Sequence, residues 1–175
     1  WVDVVVPASG LRTARVVRKS VTVSGDQTAS SRAASAPTSH SPGAPPLIDA
    51  AIIGTGFAGL GMAIQLKQHG IDNFLVFEKA GSVGGTWRDN HYPGCACDVQ
   101  SHLYSFSFAP NPDWSRMYSP QPEIRAYLER CTDEFGVRPH VRFHHELARA
   151  AFDDAAGVWN LQMADGRRYR ASALI

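Results

Sequence analysis

The sequence predicts an α/β fold built on a parallel sheet, and two observations lead to this prediction. The first observation is a strand, a helix and a second strand in succession, at Asp49–Ile53, Phe57–His69 and Asn73–Glu78, with both strands apolar. Together they span about thirty residues, as a βαβ unit does. A further helix and several short strands come later in the chain. Helices that alternate with strands favour a parallel sheet covered by helices.

The junction between the first strand and the first helix carries a glycine motif, G-x-G-x-x-G, at Gly54, Gly56 and Gly59. In such a motif the first glycine makes a tight turn, the second lets the backbone approach a pyrophosphate, and the third lets helix and strand pack closely. Phe57 and Ala58 begin the helix, whose free N–H groups and partial positive charge favour phosphate. These five residues are candidate cofactor ligands, and the fold is expected to be Rossmann-like.

Gly70 is placed to end the first helix. The second strand, which follows this helix, ends in an acidic residue, Glu78. A carboxylate at this position can accept hydrogen bonds from both hydroxyls of an adenosine ribose. The same carboxylate disfavours a 2′-phosphate, so NADP is not expected at this site. The motif by itself does not separate FAD from NAD, and a glycine-rich turn in an ordinary α/β protein is the alternative interpretation.

A second glycine segment, formed by Gly84, Gly85, Thr86 and Trp87, follows shortly after Glu78. It lies in a loop-like stretch, residues 81–112, that is dense in glycine, proline, cysteine and aromatic residues. A flavin has a longer body than nicotinamide and needs backbone close to its pyrophosphate and ribityl chain. A second glycine pair near the first phosphate loop therefore favours FAD.

The later elements are a helix and a small β-meander. Ser119 is predicted to cap the helix, with Pro120 in its first turn. One helical face carries the apolar residues Ile124, Tyr127, Leu128, Cys131 and Phe135. The predicted strands are Val141–His145, Leu147–Phe152, Val158–Met163 and Arg168–Leu174. Asp165 and Gly166 supply a tight turn between the last two strands.

Composition and charge exclude several functions. A formal net charge of +1 does not favour binding to nucleic acid or to an anionic membrane. No apolar run approaches the eighteen residues that a transmembrane helix needs. The cysteines are Cys95, Cys97 and Cys131, an odd and sparse set that does not resemble a disulfide framework. Cys95 and Cys97 have no second pair at usable spacing, so no metal site is expected. Because the cysteines do not form a disulfide framework, a reducing cytoplasm is the expected location.

The N-terminal region is predicted to differ from the rest of the chain. Residues 24–46 are rich in Ser, Ala and Pro and have almost no large apolar side chain. We expect residues 1–46 to form a disordered tail and residues 47–175 to form the folded part. The chain opens on Trp1, has its first methionine at Met62, and stops at Ile175 within an apolar run. These features indicate a fragment of a longer protein, or a translated stretch that extends upstream of its real start.

The segment GGTWRDNHYPGCACDVQSHLYSFSF, which begins at Gly84, resembles the flavin-containing monooxygenases of the Baeyer–Villiger class. These enzymes convert ketones into esters or lactones. The resemblance runs from about Ile48 to Ile175. It implies FAD as bound cofactor, NADPH as reductant, and O₂ and a small ketone as substrates. It also implies an incomplete Rossmann-like FAD-binding domain with a parallel sheet, ββα-type layers and a small β-meander.

The resemblance implies roles for individual residues. The glycine turn and Glu78 would hold the adenosine and pyrophosphate of FAD, and Gly84–Trp87 would lie along the flavin. Asp98 would sit beside the isoalloxazine ring, near a catalytic arginine and the nicotinamide. The other family positions are Ala96 and Cys97 near NADP, Tyr104 against the flavin, and Leu147, whose backbone would meet the adenine.

The chain also departs from the family pattern. Members carry a second Rossmann unit for NADPH, an F-x-G-x-x-x-H fingerprint and a catalytic arginine, and these features are not found in residues 1–175. We therefore expect no turnover from the chain alone. Two alternatives remain: a flavin monooxygenase that oxygenates nitrogen or sulfur, and a truncated, non-catalytic product that binds FAD weakly.

Overall fold

The computed structural model describes residues 45–175. The tail predicted for residues 1–46 lies outside this range, apart from its last two residues. The described part contains the strands β1 (Leu47–Ile53), β2 (Phe74–Phe77), β3 (Val141–Arg142), β4 (Leu147–Asp153), β5 (Val158–Met163) and β6 (Arg168–Leu174). Its helices are α1 (Phe57–Gln68), α2 (Thr86–Asp89) and α3 (Gln121–Glu134), and a short 3-10 helix spans Arg138–His140.

All six strands form one sheet in the order β3-β2-β1-β6-β5-β4. The pairs β3-β2, β2-β1 and β1-β6 are parallel, whereas β4, β5 and β6 form an antiparallel meander. Strand β6 belongs to both parts, because one edge pairs with β1 and the other with β5. The predicted parallel sheet and β-meander are thus confirmed.

The central strands β1 and β2 are buried on both faces, as the ββα layering requires. Successive side chains of a strand point to opposite faces. Ile52 of β1 and Val76 of β2 belong to the core that includes the helices. Ala51 and Phe77, their neighbours in sequence, pack with Leu161 of β5 instead. Helices therefore cover one face and the meander contributes to the other, which confirms the predicted fold class.

The N-terminus of α3 differs from the prediction. Pro120, not Ser119, is the N-cap residue, the helix begins at Gln121, and no side chain caps it. The Ser119 hydroxyl is buried and lies 2.5 Å from the Ser101 hydroxyl. The predicted cap was wrong because this hydroxyl pairs with the preceding loop.

Strand β3 is also shorter than the predicted Val141–His145, since it ends at Arg142. His144 adopts a left-handed backbone with φ 56°, which is uncommon outside glycine. This turn directs the backbone N–H of His144 to the carbonyl of Ala80 and that of His145 to the carbonyl of Glu78, at 3.2 and 2.9 Å. After Arg142 the chain turns out of the strand, and these two hydrogen bonds attach it to the residues that follow β2.

Gly59 is expected to tolerate no side chain. A Cβ atom added there would lie 2.0 Å from the carbonyl oxygen of Gly54. Gly59 lies within α1, where alanine is otherwise the better residue. We expect G59A to lower the free energy of unfolding by about 3 kcal/mol or more, because the turn must shift. Urea unfolding of the chain measures this loss.

The matched control is G157A, in the turn between β4 and β5. Gly157 has φ 66°, and a Cβ atom there would meet nothing within 4 Å. This variant suffers only the left-handed backbone penalty of about 1–2 kcal/mol. An equal loss in both variants would contradict the close-contact explanation for Gly59.

Candidate dinucleotide-binding site

The glycine turn joins the carboxyl end of β1 to the N-terminus of α1. Gly54 has φ 93°, and its N–H donates to the carbonyl of Phe77 at the end of β2. Gly56 is the N-cap residue of α1, with no side-chain cap and no acidic residue in the first turn. The first N–H groups of a helix have no partner within it. Those at Phe57 and Ala58 are therefore placed to bind a phosphate.

The second glycine segment lies directly against this turn. The N–H of Gly84 donates to the carbonyl of Thr55 at 3.0 Å. A Cβ atom on Gly85 would lie only 2.9 Å from the Cα atom of Gly56. Gly84 and Gly85 also have positive φ angles of 127° and 51°. Two glycine segments separated in sequence thus form one backbone-lined surface beside the start of α1.

Aromatic side chains border this surface. The indole N–H of Trp87 donates to the Tyr104 hydroxyl at 3.0 Å, and the rings of Tyr104 and Phe57 have centroids 4.8 Å apart. Burial raises the pKa of Tyr104, and the nearby Cys97 and Asp98 add to the rise against the hydrogen bond from Trp87. Phe57, Trp87 and Tyr104, all predicted site residues, therefore form one cluster.

Glu78 is the most connected polar residue of the site. Its Oε2 accepts hydrogen bonds from the N–H and the hydroxyl of Thr55, at 3.0 and 2.6 Å. Its Oε1 accepts from the N–H of Ala80 at 2.8 Å and lies 2.9 Å from Arg88 Nη1. Burial alone would raise the pKa of Glu78, but these hydrogen bonds and the Arg88 charge outweigh it and hold the pKa below its ordinary value. The carboxylate is therefore ionised and fully paired at neutral pH.

The sequence analysis missed Arg88 and Thr55, whose side chains contact Glu78. The Arg88 side chain is 10% exposed, and it donates to the carbonyl of Ser82 at 2.8 Å and pairs with Asp89 at 2.8 Å. The available signals for these two residues were their positions in the sequence, since Thr55 stands between two motif glycines and Arg88 follows Trp87. Neither signal indicates a contact with Glu78, because that contact depends on how the two loops fold together.

The remaining predicted residues lie farther along the chain. Ala96 forms an isolated antiparallel bridge with Pro120, and the N–H of Cys97 donates to the carbonyl of Ser119 at 2.9 Å. These bonds attach the segment to the start of α3. Asp98 follows with an exposed side chain, near enough for its charge to raise the pKa of Tyr104.

Leu147 lies on the opposite side of the sheet from the helices. It begins β4 and packs against the core formed by the meander and the parallel strands. The link to the site is His145, two residues earlier, whose N–H donates to the backbone carbonyl of Glu78. The start of β4 is thus connected to the end of β2 through the backbone.

Residues 45–175 also lack two other features. Within that range, no group of three or more His, Cys, Asp or Glu residues is arranged to hold a metal ion. None of the helices there has the length and apolar character needed to cross a lipid bilayer.

The chain is similar to known proteins in sequence and in structure. Residues 52–120 match a family model described as an NAD(P)-binding Rossmann-like domain. A Baeyer–Villiger monooxygenase of Pseudomonas aeruginosa is 56% identical over 125 residues, which are 71% of this chain and 24% of that protein. One from Streptomyces coelicolor is 60% identical over 116 residues, 66% of this chain and 22% of that protein. The chain is similar to the Baeyer–Villiger monooxygenases.

Other relatives agree with this resemblance. An FAD-binding monooxygenase, moxY, of Dothistroma septosporum is 41% identical over 115 residues, 65% of this chain and 18% of that protein. The structure of an oxidized steroid monooxygenase bound to NADP has a TM-score of 0.70 and 37% identity, over 74% of this chain and 25% of that one. The chain thus spans about a quarter of the length of the Baeyer–Villiger monooxygenases it matches.

The buried ionic contacts of Glu78 predict a pH-dependent stability. A lowered pKa means that the ionised carboxylate stabilises the fold above its ordinary pKa of 4.5. That stabilisation is lost as the pH falls through the lowered value. E78Q should lower the free energy of unfolding by about 3 kcal/mol at neutral pH, because its amide N–H₂ faces donors and Arg88 loses the more buried of its two carboxylate partners.

Urea unfolding at a series of pH values measures both effects. The difference between wild type and E78Q should shrink as the pH falls below 4.5. The control is E129Q, because Glu129 pairs with Arg125 and both side chains are about 40% exposed. Such pairs contribute about 0–1 kcal/mol. A pH-independent difference between wild type and E78Q would contradict the ionic contribution of Glu78.

Proposed function

We propose that the whole protein to which this chain belongs is an FAD-dependent, NADPH-using monooxygenase of the Baeyer–Villiger type. It inserts one oxygen atom of O₂ into a small ketone and forms an ester or a lactone. The second oxygen atom leaves as water, and NADPH supplies two electrons. The observation that carries this proposal is the convergence of the two glycine segments at α1, in a chain that resembles this class of enzyme.

The contribution of this chain is the binding of FAD. The N–H groups at the start of α1 would hold the pyrophosphate, and Glu78 would recognise the adenosine ribose. Gly84, Gly85 and Thr86 would lie along the cofactor, because Gly84 donates to the carbonyl of Thr55 and Gly85 closely approaches Gly56. The bound flavin would supply the activation of O₂. The chain's residues bind it, orient it and keep water away.

The charge of the site favours FAD over NADP at this turn. Glu78 is ionised, and a carboxylate at the end of β2 repels the 2′-phosphate that distinguishes NADP. We place NADPH instead near Ala96 and Cys97, and the flavin ring near Tyr104 and Asp98. Asp98 would orient an arginine through charge-assisted hydrogen bonds. Leu147 would offer its backbone to the adenine.

All three cysteines are free thiols, which supports a cytoplasmic location.

The contact between the glycine segments predicts a selective effect on FAD binding. In G85A, the added Cβ would lie 2.9 Å from Gly56 Cα and separate the segments. We expect the dissociation constant for FAD to rise at least about tenfold, equal to about 1.4 kcal/mol. Titration of the chain with FAD, followed by flavin fluorescence, measures the constant.

The matched control is G94A. Gly94 also has a positive φ, 81°, but a Cβ atom there meets nothing within 4 Å. Its backbone penalty is similar, so a change in FAD affinity limited to G85A isolates the contact with Gly56. Equal affinity in wild type and G85A, or no FAD binding by the chain, would contradict the proposed cofactor site.

The oxygenation reaction is tested on the whole protein. With NADPH, a cyclic ketone and ¹⁸O₂, we expect one labelled oxygen in the ring of a lactone, and one NADPH consumed per lactone. Mass spectrometry of the product measures the label. Oxygenation of an amine or a sulfide, with the ketone left unchanged, would instead support the alternative flavin monooxygenase.

A further inference from the structure

The acceptor capacity of Glu78 is filled by the chain itself. A carboxylate has about four lone-pair sites, two on each oxygen. Oε2 accepts from the Thr55 N–H and the Thr55 hydroxyl, whereas Oε1 accepts from the Ala80 N–H and pairs with Arg88. Glu78 is 3% exposed and Thr55 is 0% exposed. A ribose hydroxyl can therefore bind this carboxylate only by replacing one of the four donors.

Three of these donors are held in place by other contacts. The Thr55 and Ala80 N–H groups are part of the backbone, and the carbonyl of Thr55 is itself bonded to Gly84. Arg88 is held by its charge, by the carbonyl of Ser82 and by Asp89. The Thr55 hydroxyl differs, because rotation about one side-chain bond moves it away from Oε2 without moving the backbone.

We propose that the Thr55 hydroxyl occupies the place of a ribose hydroxyl on Glu78, so that binding of the adenosine ribose proceeds by exchange of one hydroxyl for the other. Thr55 is then an affinity-determining residue that weakens cofactor binding while it stabilises the turn. This inference rests on the proposed binding of an adenine dinucleotide at Glu78. Its distinctive consequence is that affinity and stability change in opposite directions when the hydroxyl is removed.

The test uses T55A and two probes, ADP and 2′,3′-dideoxy-ADP. The probes share the adenine and the pyrophosphate, but the second lacks both ribose hydroxyls. We expect T55A to bind ADP about tenfold more tightly than wild type, since a hydrogen bond to a charged group no longer competes. The affinity for dideoxy-ADP should remain unchanged. Isothermal titration of the full chain measures both constants, and urea unfolding should show a lower midpoint for T55A.

Two further variants serve as controls. T55S retains the hydroxyl and should keep the wild-type affinity for ADP. T132A removes another fully buried threonine hydroxyl, which donates to the carbonyl of Leu128 at 2.7 Å. It should lower the urea midpoint without a change in affinity, as expected of a purely structural hydroxyl.

The other outcomes overturn the inference. Unchanged or weaker ADP binding by T55A would show that the Thr55 hydroxyl does not compete with ribose. An equal gain for ADP and dideoxy-ADP would show that the effect does not involve the ribose hydroxyls. If wild type and T55A bind neither ADP nor FAD, the proposed cofactor site fails, and the inference fails with it.

Discussion

The site depends on one buried carboxylate. Glu78 stands at the end of β2, and its two oxygens are bound by Thr55, Ala80 and Arg88. These residues belong to the glycine turn, to the chain just after β2, and to helix α2, which continues the second glycine segment. Because an ionised group in the interior is stable only when it is paired, the carboxylate holds the three segments together. The same group is the proposed ligand of the adenosine ribose, so binding and stability share one residue.

Close approach of backbone to backbone is the second constraint. Gly59 lets α1 lie against the turn at Gly54, and Gly85 lets the second segment lie against Gly56. A side chain at either position would occupy space that backbone atoms already fill. The resulting surface is made of peptide groups, with the unpaired N–H groups of α1 at its edge. Such a surface suits a phosphate chain that must approach the backbone closely.

The sheet explains why this surface forms where it does. Strands β1 and β2 are parallel neighbours, so their carboxyl ends bring the glycine turn and Glu78 to the same edge. The meander returns through β6, which pairs with β1 on its other side and buries the second face of the parallel strands. Both faces of β1 and β2 are thereby covered, so the loops at their ends extend from strands that are packed on both sides.

The sequence by itself determined the α/β class, the βαβ unit, the meander and the likeness to Baeyer–Villiger monooxygenases, because apolar period and glycine spacing are local properties. It did not predict the 3-residue shortening of the strand after Arg142 or the use of Ser119, since both depend on partners in distant loops. Above all, only the tertiary structure decided the partners of Glu78. The sequence placed an acid at the tip of a strand, whereas folding placed Thr55 and Arg88 around it, and contacts between residues far apart in the chain leave no periodic signal.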